Sequence, residues 1–355
     1  MKKLLFYLLF FLFSGAAVFA QETSCSQVLK KAQATFEQGR IYEIEKMIKP
    51  CMEEGFTKDE MIAAWKLLSL TYLYSNEKEK SENAMQQFLK LDPEYEINEA
   101  LDPAEFINLY NRYRTTPIYI LGIKGGGNIT QINVLNTYSL AAFEPGSEKY
   151  TGSYEDKPGF QFGLFAQRPI SKRFTIAGSL NFLRQSYLFK YDKLFDYESL
   201  DFKEDFSCIS LPLSLNLKFG NNKKLIPAIY LGCIPAFRAK STSKVSRIDL
   251  LAGKRTEVSN ETINTKNLRK NVSFMAMGGV ELKIKNVIGR GYLLFDFRYS
   301  YSLNNIVKKE NRFSDNNLLY NYMYVDNDFK LTSFQFSMGY GIPIYKPILK
   351  KVKSK

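Results

Sequence analysis

Charged side chains in two neighbouring segments are the first candidates for chemistry. Glu281 and Lys283 alternate with apolar residues in one segment, and Asp296 and Arg298 do so in the next. Successive side chains of a strand point to opposite faces, so the four charges belong on one face of adjacent strands. They form either a polar pathway or a plug of paired charges. An interior with room for little besides side chains favours the plug.

The composition limits which catalytic sites the chain can form. The chain has no histidine, which excludes serine–histidine and cysteine–histidine catalysis and histidine-bound zinc. The run Gly125-Gly126-Gly127 lacks the Lys-Ser or Lys-Thr pair of a phosphate-binding loop. We therefore predict no catalytic residue, no cofactor and no metal centre, and we interpret the protein as non-enzymatic.

An acidic segment at 192–205 is another place where a ligand could bind. Clustered carboxylates suit calcium, which prefers several oxygen ligands. Their spacing matches no known calcium loop, so a solvated acidic loop is the favoured interpretation and cation binding stays open. The carboxylates are Asp192, Asp196, Glu198, Asp201, Glu204 and Asp205.

The chain's four cysteines fall into two pairs. Cys25 and Cys51 lie at similar distances on either side of Gly39, so an antiparallel helical hairpin would bring them to the same end. In an oxidising compartment this arrangement predicts a disulfide. Cys208 and Cys233 lie in adjacent predicted strands but out of register. We interpret them as unpaired, and their state stays open.

The N-terminus has the pattern of a secretion signal. Lys2 and Lys3 precede an apolar run at 4–13, and Val18-Phe19-Ala20 resembles a cleavage site. This pattern predicts a signal peptide at 1–20 that is removed on export. A retained anchor is the alternative, but the run is shorter than the roughly 20 apolar residues that a spanning helix needs.

Residues 21–116 predict a small all-α domain of helical hairpins. Gly39 and Gly55 are positioned to end helices, and Thr57 with Glu60 forms a capping box at the start of another. Ala84, Phe88 and Leu91-Asp92-Pro93 resemble a degenerate tetratricopeptide repeat, and the spacing from Gly39 to Asn76 is close to its period of about 34 residues. The resemblance implies a protein-binding groove. A packed bundle that acts as a spacer is the alternative.

From Pro117 onward the hydrophobic period changes to two. Between Ile209 and Phe219 every odd-numbered residue is apolar, which indicates a strand with one apolar and one polar face. The same pattern predicts eight strands, whose connections alternate between long and short. That alternation is typical of an outer-membrane β-barrel with large outer loops and tight periplasmic turns. The predicted strands cover about 118–130, 159–169, 172–189, 206–219, 225–239, 270–285, 290–304 and 329–343.

The fold class is therefore α+β: a helical-hairpin domain followed by an eight-stranded antiparallel transmembrane barrel at 117–345. The barrel segment resembles the PorT-like outer-membrane barrel proteins of Bacteroidota. The resemblance implies fold and location, and it does not specify a role. It is carried by Ile209-Ser210-Leu211-Pro212-Leu213, the turn at Gly220, the segment from Pro227 to Gly232, and Pro158-Gly159-Phe160-Gln161-Phe162-Gly163.

A basic tail at 346–355 follows the barrel. The formal net charge is +13, but export argues against nucleic acid as a partner, and an anionic membrane surface suits the lysines better. A solvated end is the alternative for the tail. How the barrel assembly machinery recognises a C-terminus that continues past Tyr345 stays open. The lysines are Lys346, Lys350, Lys351, Lys353 and Lys355.

These features favour an outer-membrane anchor for a periplasmic helical module, in envelope assembly or protein secretion. The expected partners are outer-membrane lipid and lipopolysaccharide, the barrel assembly machinery, and a periplasmic protein bound through 21–116. The alternatives are a small-solute channel, or a surface recognition protein that acts through loops 131–158, 240–269 and 305–328. The sequence specifies no oligomeric state.

Overall fold

The computed structural model describes residues 24–139, 152–194, 198–220, 224–251 and 253–350. The predicted signal peptide at 1–20 lies outside them. The chain divides into two compact units. The helical unit comprises Met1–Thr116 together with Tyr345–Lys355, and the β unit comprises Pro117–Ile344.

In its described residues, the helical unit has five α-helices and a short 3₁₀ turn at Ile41–Glu43. The predicted capping box is present, with the Glu60 N–H donating to Thr57 Oγ1 and the Thr57 N–H donating to Glu60 Oε2. Within the described part of the chain, no helix is both long and apolar enough to cross a bilayer. The helices are α1 (Cys25–Glu37), α2 (Ile44–Glu53), α3 (Lys58–Tyr74), α4 (Lys78–Leu91) and α5 (Ala104–Asn111).

Apolar faces of these helices form the unit's core. Ala32, Ile44 and Ile48 are fully buried against α3, and Phe88 and Phe106 are fully buried between α4 and α5. α1, α2, α4 and α5 bury residues at helical spacing, whereas α3 is buried at every position from Leu67 to Tyr72. Packing of the other helices around α3 provides most of the stability.

The C-terminal segment belongs to the helical unit, which corrects its prediction as a separate basic tail. The Arg114 N–H donates to the Ile348 carbonyl at 3.0 Å, and the Lys350 N–H donates to the Arg112 carbonyl at 2.8 Å. Pro347 is buried. The sequence shows only the lysine charges of this segment. Its hydrogen bonds to the helical unit are made by backbone groups, which every residue has.

The described part of the β unit contains ten strand segments. β4 and β5 are the two halves of one predicted strand, interrupted at Leu211 and Pro212, where proline has no N–H to donate to a neighbouring strand. The segments are β1 (Tyr119–Asn136), β2 (Ser153–Pro169), β3 (Phe174–Leu194), β4 (Glu198–Ser210), β5 (Leu213–Lys218), β6 (Leu225–Leu251), β7 (Lys254–Asn264), β8 (Val272–Lys285), β9 (Tyr292–Ser302) and β10 (Asp328–Ile344).

All strand pairs are antiparallel, and their order forms a ring. β1 pairs with β2, β2 with β3, β3 with both β4 and β5, and these with β6. β6 pairs with β8, β8 with β9, β9 with β10, and β10 pairs back with β1. The last of these pairings runs from Tyr119↔Ile344 to Asn136↔Asp328. β7 pairs with the far half of β6.

Several strands are longer than predicted. Segments 190–205 and 240–269 were expected to be loops, but β3 continues to Leu194 opposite β4, and β6 and β7 form a hairpin over 242–264. β1 and β2 likewise extend into the predicted loop at 131–158, to Asn136 and from Ser153. In these extensions the outward positions are polar, as at Lys240 and Lys244, so the hydrophobic alternation that marks a half-buried strand is missing.

The two faces of the sheet have opposite polarity. Nearer the short connections the exposed face is apolar, and we call this surface the apolar band. The opposite face of the same strands buries polar side chains. Exposed residues of the band include Ile123, Phe162, Leu164, Leu180, Leu231, Phe274, Val280, Phe297, Met338 and Ile342. Buried polar residues behind it include Asn128, Gln161, Asn181, Asn216, Ser300, Gln335 and Ser337.

Cys25 and Cys51 are joined in a disulfide whose Cα atoms are 5.6 Å apart. We predict that Cys25→Ser with Cys51→Ser lowers the free energy of unfolding of the helical unit by about 3 kcal/mol, because the bridge restricts the unfolded chain. Chemical denaturation followed by the fluorescence of Trp65 measures this change. Cys233→Ser, which removes a free and exposed thiol, is the control; equal stability of all variants would contradict the prediction.

Candidate functional site

The charged residues of the buried face separate into two groups. In the first, Arg298 Nη2 lies 2.9 Å from Asp296 Oδ2, and Lys124 Nζ lies 3.4 Å from the same oxygen. The Tyr230 hydroxyl donates to Asp296 Oδ1 and accepts from Arg298 Nε at 3.2 Å. One carboxylate is thus shared by two cations and a phenol, which compensates for its removal from water.

The second group is centred on Glu281. Lys283 Nζ lies 3.0 Å from Glu281 Oε1, and Gln167 Nε2 donates to Glu281 Oε2 at 2.7 Å. Asn216 Nδ2 also donates to Glu281 Oε1, at 3.3 Å. Glu281 and Asp296 are cross-strand partners, so the two carboxylates are neighbours. Glu281 is paired with Lys283, whereas Asp296 is paired with Arg298 and Lys124.

Little space remains between the two groups. A cavity of about 20 Å³ lies among Lys124, Gln167, Glu281, Asp296 and Arg298, which is room for roughly one water molecule. The groups are held by hydrogen bonds from several strands, so opening a path requires breaking several of them together. This geometry is that of a filled interior with paired charges.

A second buried ion cluster lies beyond the apolar band, at the end of the long connections. Arg269 is fully buried between two carboxylates. Its Nη2 lies 2.6 Å from Glu204 Oε2, and its Nη1 lies 2.6 Å from Asp326 Oδ2. We call Glu204, Arg269 and Asp326 the outer ion cluster. It joins β4, the approach to β8 and the segment before β10.

Hydroxyl groups supply the remaining hydrogen bonds of the outer ion cluster. The Tyr187 hydroxyl donates to Glu204 Oε2 at 2.6 Å, and Ser241 and Thr265 donate to Glu204 Oε1, each at 2.6 Å. The Tyr324 hydroxyl donates to Asp326 Oδ1 at 2.9 Å. Every carboxylate oxygen named here has a donor, so the cluster holds the connections together and offers no free ligand position.

Electrostatics within this cluster favour the ionised forms. Burial by itself would raise the pKa of Glu204, but the Arg269 charge and the hydroxyl donors outweigh it and leave the pKa below its ordinary value. Burial opposes the charge on Arg269 as well, yet Asp326 and Glu204 hold its pKa well above the ordinary value. Burial also raises the pKa of the Tyr187 hydroxyl, which therefore stays protonated and donates.

An aromatic core encloses the outer ion cluster. Phe202 stacks on Tyr324 with ring centroids 4.0 Å apart, and Tyr187 packs edge-on against Phe329 at 5.6 Å. These rings come from β3, β4, β10 and the connection before β10, with Tyr154 of β2 packed beside them. The far ends of the strands and the connection at 305–328 therefore form a folded extension with its own core.

The structure changes the interpretation of the acidic segment. Glu204 is fully buried in the outer ion cluster, and Asp205 lies 3.3 Å from Arg184. Among the described residues, no group of acidic or cysteine side chains is arranged to hold a metal ion. Asp196 lies outside the described residues. The solvated loop that we expected is instead the pairing of β3 with β4: Phe202, Glu204 and Phe206 are buried on one face of β4, and Asp201 and Asp205 alternate with them.

The remaining cysteines lie on opposite faces of the sheet. Cys208 is buried and pairs in register with Arg238, whereas Cys233 is exposed and pairs with Leu213. Both are free thiols, as expected for residues out of register.

Several of the buried charged residues were not identified from the sequence. Lys124 sits at an even position of β1 among inward residues such as Asn128, so the period of two already assigned it to the polar face. Arg269 and Asp326 lie in segments predicted as loops. No sequence pattern relates them to Glu204.

Comparison with known proteins identifies a family for the β unit. The family described as outer membrane protein β-barrel domain matches residues 114–308, more than half of the chain. The chain matches no curated protein.

Among solved structures, the chain is similar to neisserial surface protein A (NspA), with 15% identity, 64% of this chain and 96% of that chain covered, and a TM-score of 0.29. It is similar to the outer membrane protein OprG from Pseudomonas aeruginosa, with 12% identity, 64% and 96% covered, and a TM-score of 0.35. It is also similar to Ail, the attachment invasion locus protein of Yersinia pestis, with 12% identity, 63% and 98% covered, and a TM-score of 0.27. Because the identities and TM-scores are this low, we draw no conclusion about function from these structures.

The outer ion cluster predicts a pH dependence of stability. Because the pKa of Glu204 is lowered on folding, its contribution is complete above its ordinary pKa of 4.5 and is lost as the pH falls through the folded value. We expect Glu204→Gln to lower the free energy of unfolding by roughly 2 kcal/mol at pH 7. The deficit relative to the unmodified protein should shrink below pH 4.5, where Glu204 itself becomes protonated.

Urea unfolding in detergent micelles between pH 3 and pH 7 measures this difference. Glu257→Gln, at an exposed position of β7, is the matched control and should leave stability unchanged at every pH. A Glu204→Gln deficit that stays constant with pH would contradict the assignment.

Proposed function

Because the chain belongs to the family of outer membrane protein β-barrel domains, we propose that it is a non-enzymatic barrel that anchors a periplasmic helical module. The family implies location in the outer membrane. In this proposal the apolar band contacts lipid and lipopolysaccharide, and the barrel assembly machinery inserts the chain. The helical module binds a protein partner in envelope assembly or secretion.

The ring of strand pairings supports a closed eight-stranded barrel. β4 and β5 count as one strand because both pair with β3 on one side and with β6 on the other. β7 extends a hairpin beyond the apolar band and adds no strand to the ring. An even number of strands is usual for single-chain barrels of bacterial outer membranes.

The observation that carries the anchoring role is the filled interior. Glu281 and Asp296 are each paired with cations, and the space between them holds about one water molecule. A barrel of this size has an interior just wide enough for side chains, and at Glu281 and Asp296 paired charges fill it, which favours an anchor over a small-solute channel.

Strand topology supports a periplasmic location for the helical unit. Tyr119 at the start of β1 pairs with Ile344 at the end of β10, so the chain enters and leaves the sheet at the same rim. The short connections β2–β3, β5–β6 and β8–β9 lie at that rim, and short turns face the periplasm in barrels of this kind. The N-terminal unit and the C-terminal segment therefore share the periplasmic side.

The finer family resemblances complete the proposal. The β unit is similar in pattern to the PorT-like barrels of Bacteroidota, and the α1–α2 and α3–α4 pairs fit degenerate tetratricopeptide hairpins. Helical hairpins of that kind bind proteins on exposed helix surfaces. In this unit Tyr42 is 84% exposed, which makes it a natural contact position.

A second candidate role is surface recognition, favoured by the folded extension beyond the apolar band. Its aromatic core and outer ion cluster give the described part of the connection before β10 a fixed shape, which a recognition surface needs. Tyr320, in the connection before β10, is 72% exposed. The two candidates place the partner on opposite sides of the membrane, so one experiment separates them.

Photo-crosslinking in intact cells tests the proposal. We predict that an aromatic photo-crosslinker in place of Tyr42 yields a discrete adduct with an envelope protein identified by mass spectrometry, because that residue is exposed on the helical unit. The same probe in place of Tyr320 is the matched control and should yield no discrete protein adduct. Adducts at Tyr320 alone would instead support surface recognition, and discrete conductance in planar bilayers would contradict the anchoring role.

A further inference from the structure

The C-terminal segment and the helical unit hold the two ends of the β unit's chain together. Tyr113 and Leu349 form an antiparallel bridge, flanked by the hydrogen bonds from the Arg114 N–H to Ile348 and from the Lys350 N–H to Arg112. The two chain segments that lead into β1 and out of β10 are thus paired inside the helical unit. We call the bridge and its two flanking hydrogen bonds the end clamp.

Side chains of the helical unit reinforce the end clamp. Gln86 Nε2 donates to the Pro347 carbonyl at 3.2 Å, and Lys350 Nζ donates to the Asn111 carbonyl at 2.7 Å. The Tyr345 hydroxyl donates to Glu94. Tyr113 is buried, and its hydroxyl donates to the Glu82 carbonyl at 2.8 Å. The segment therefore occupies a binding position on α4 and α5.

Within the β unit, the same two chain ends meet again. The Ile118 N–H donates to the Ile344 carbonyl at 2.8 Å, where the pairing of β1 with β10 begins. Arg114 precedes Ile118 by four positions, and Ile348 follows Ile344 by four positions. Four residues of chain span at most about 14 Å. Both pairings consequently constrain the same two chain ends.

The pairing of β1 with β10 is the difficult step in completing the ring. When β4 and β5 count as one strand and β7 is left out of the ring, every other ring pairing joins consecutive strands. Tyr119 and Ile344, in contrast, are more than 200 residues apart. Bringing such distant segments together has the largest loop-closure entropy and the slowest search. The contacts of the helical unit are mostly local, so that unit can form before the ring is complete.

We propose that the helical unit has a second function, which is to capture the C-terminal segment and so template the pairing of β1 with β10. The captured segment holds the end of β10 next to the start of β1. Capture closes the long loop by joining Tyr113 to Leu349, and the end of β10 then finds the start of β1 by a local search at a high effective concentration. This role lies within the chain, and it is independent of whether the helical unit also binds a partner protein.

Refolding of the full-length, disulfide-intact protein tests this function. The urea-unfolded chain is diluted into short-chain phosphatidylcholine vesicles, and folding is followed by its resistance to protease. Deletion of 347–355 removes the whole end clamp, and we expect folding to slow by at least about tenfold. Deletion of 351–355 leaves every described contact of the segment in place and should fold at the unmodified rate.

The unfolding rate separates templating from simple stabilisation. A contact that forms before the rate-limiting step affects folding, whereas a contact that forms after it affects unfolding. We expect the 347–355 deletion to slow folding and to leave the unfolding rate in urea nearly unchanged. Unchanged folding with faster unfolding would overturn the proposal, as would equal folding rates of both deletions.

A pair of point variants keeps the test decisive if the longer deletion fails to fold. Lys350→Pro removes the N–H that donates to Arg112, and Lys350→Ala retains it while removing the same side chain. Slower folding of the proline variant relative to the alanine variant supports the proposal, and equal rates overturn it. Neither folding rate depends on binding of a partner protein. These results therefore do not test the proposed binding of an envelope protein by the helical unit, which the photo-crosslinking experiment tests.

Discussion

Backbone groups inside a membrane have no water to bind, so every strand that crosses it needs a hydrogen-bonded neighbour on both sides. Most of the β unit can be understood from this constraint. The pairings continue from β1 through β9 to β10, and the register of β1 with β10 returns them to the start. The interruption at Pro212 is tolerated because β5 resumes the same pairings beyond it.

Once the ring exists, the alternation of side chains determines what each face can be. Outward positions of the apolar band carry Phe, Leu and Ile, while inward positions carry amides, hydroxyls and charges. The inward carboxylates are removed from bulk water, so each is compensated by cations: Lys283 for Glu281, and Arg298 with Lys124 for Asp296. An interior filled by paired charges follows, and in the proposed anchoring role the function lies in what the barrel carries on its two sides.

Patterns that depend on periodicity could be predicted from the sequence. The helical domain before an antiparallel sheet, and the opposite faces of Asp296 and Phe297, follow from the periods of helix and strand. The far halves of the strands were missed because polar residues there face outward and hide the period, as at Lys240 and Lys244. The pairing of Arg269 with Glu204 and Asp326 joins three distant segments, so no local pattern encodes it. The C-terminal segment was taken for a charged tail because its binding uses backbone groups, which composition does not reveal.

The outward orientation of the apolar band is tested most directly at Cys233, a natural thiol on the exposed face between Leu231 and Pro235. In a Cys208→Ser background the disulfide leaves Cys233 as the single reactive thiol, and a fluorophore attached to it reports its surroundings after refolding into vesicles. Lipids with brominated acyl chains should quench this fluorophore strongly, while aqueous iodide should have little effect. Quenching by iodide without quenching by brominated lipid would contradict the account.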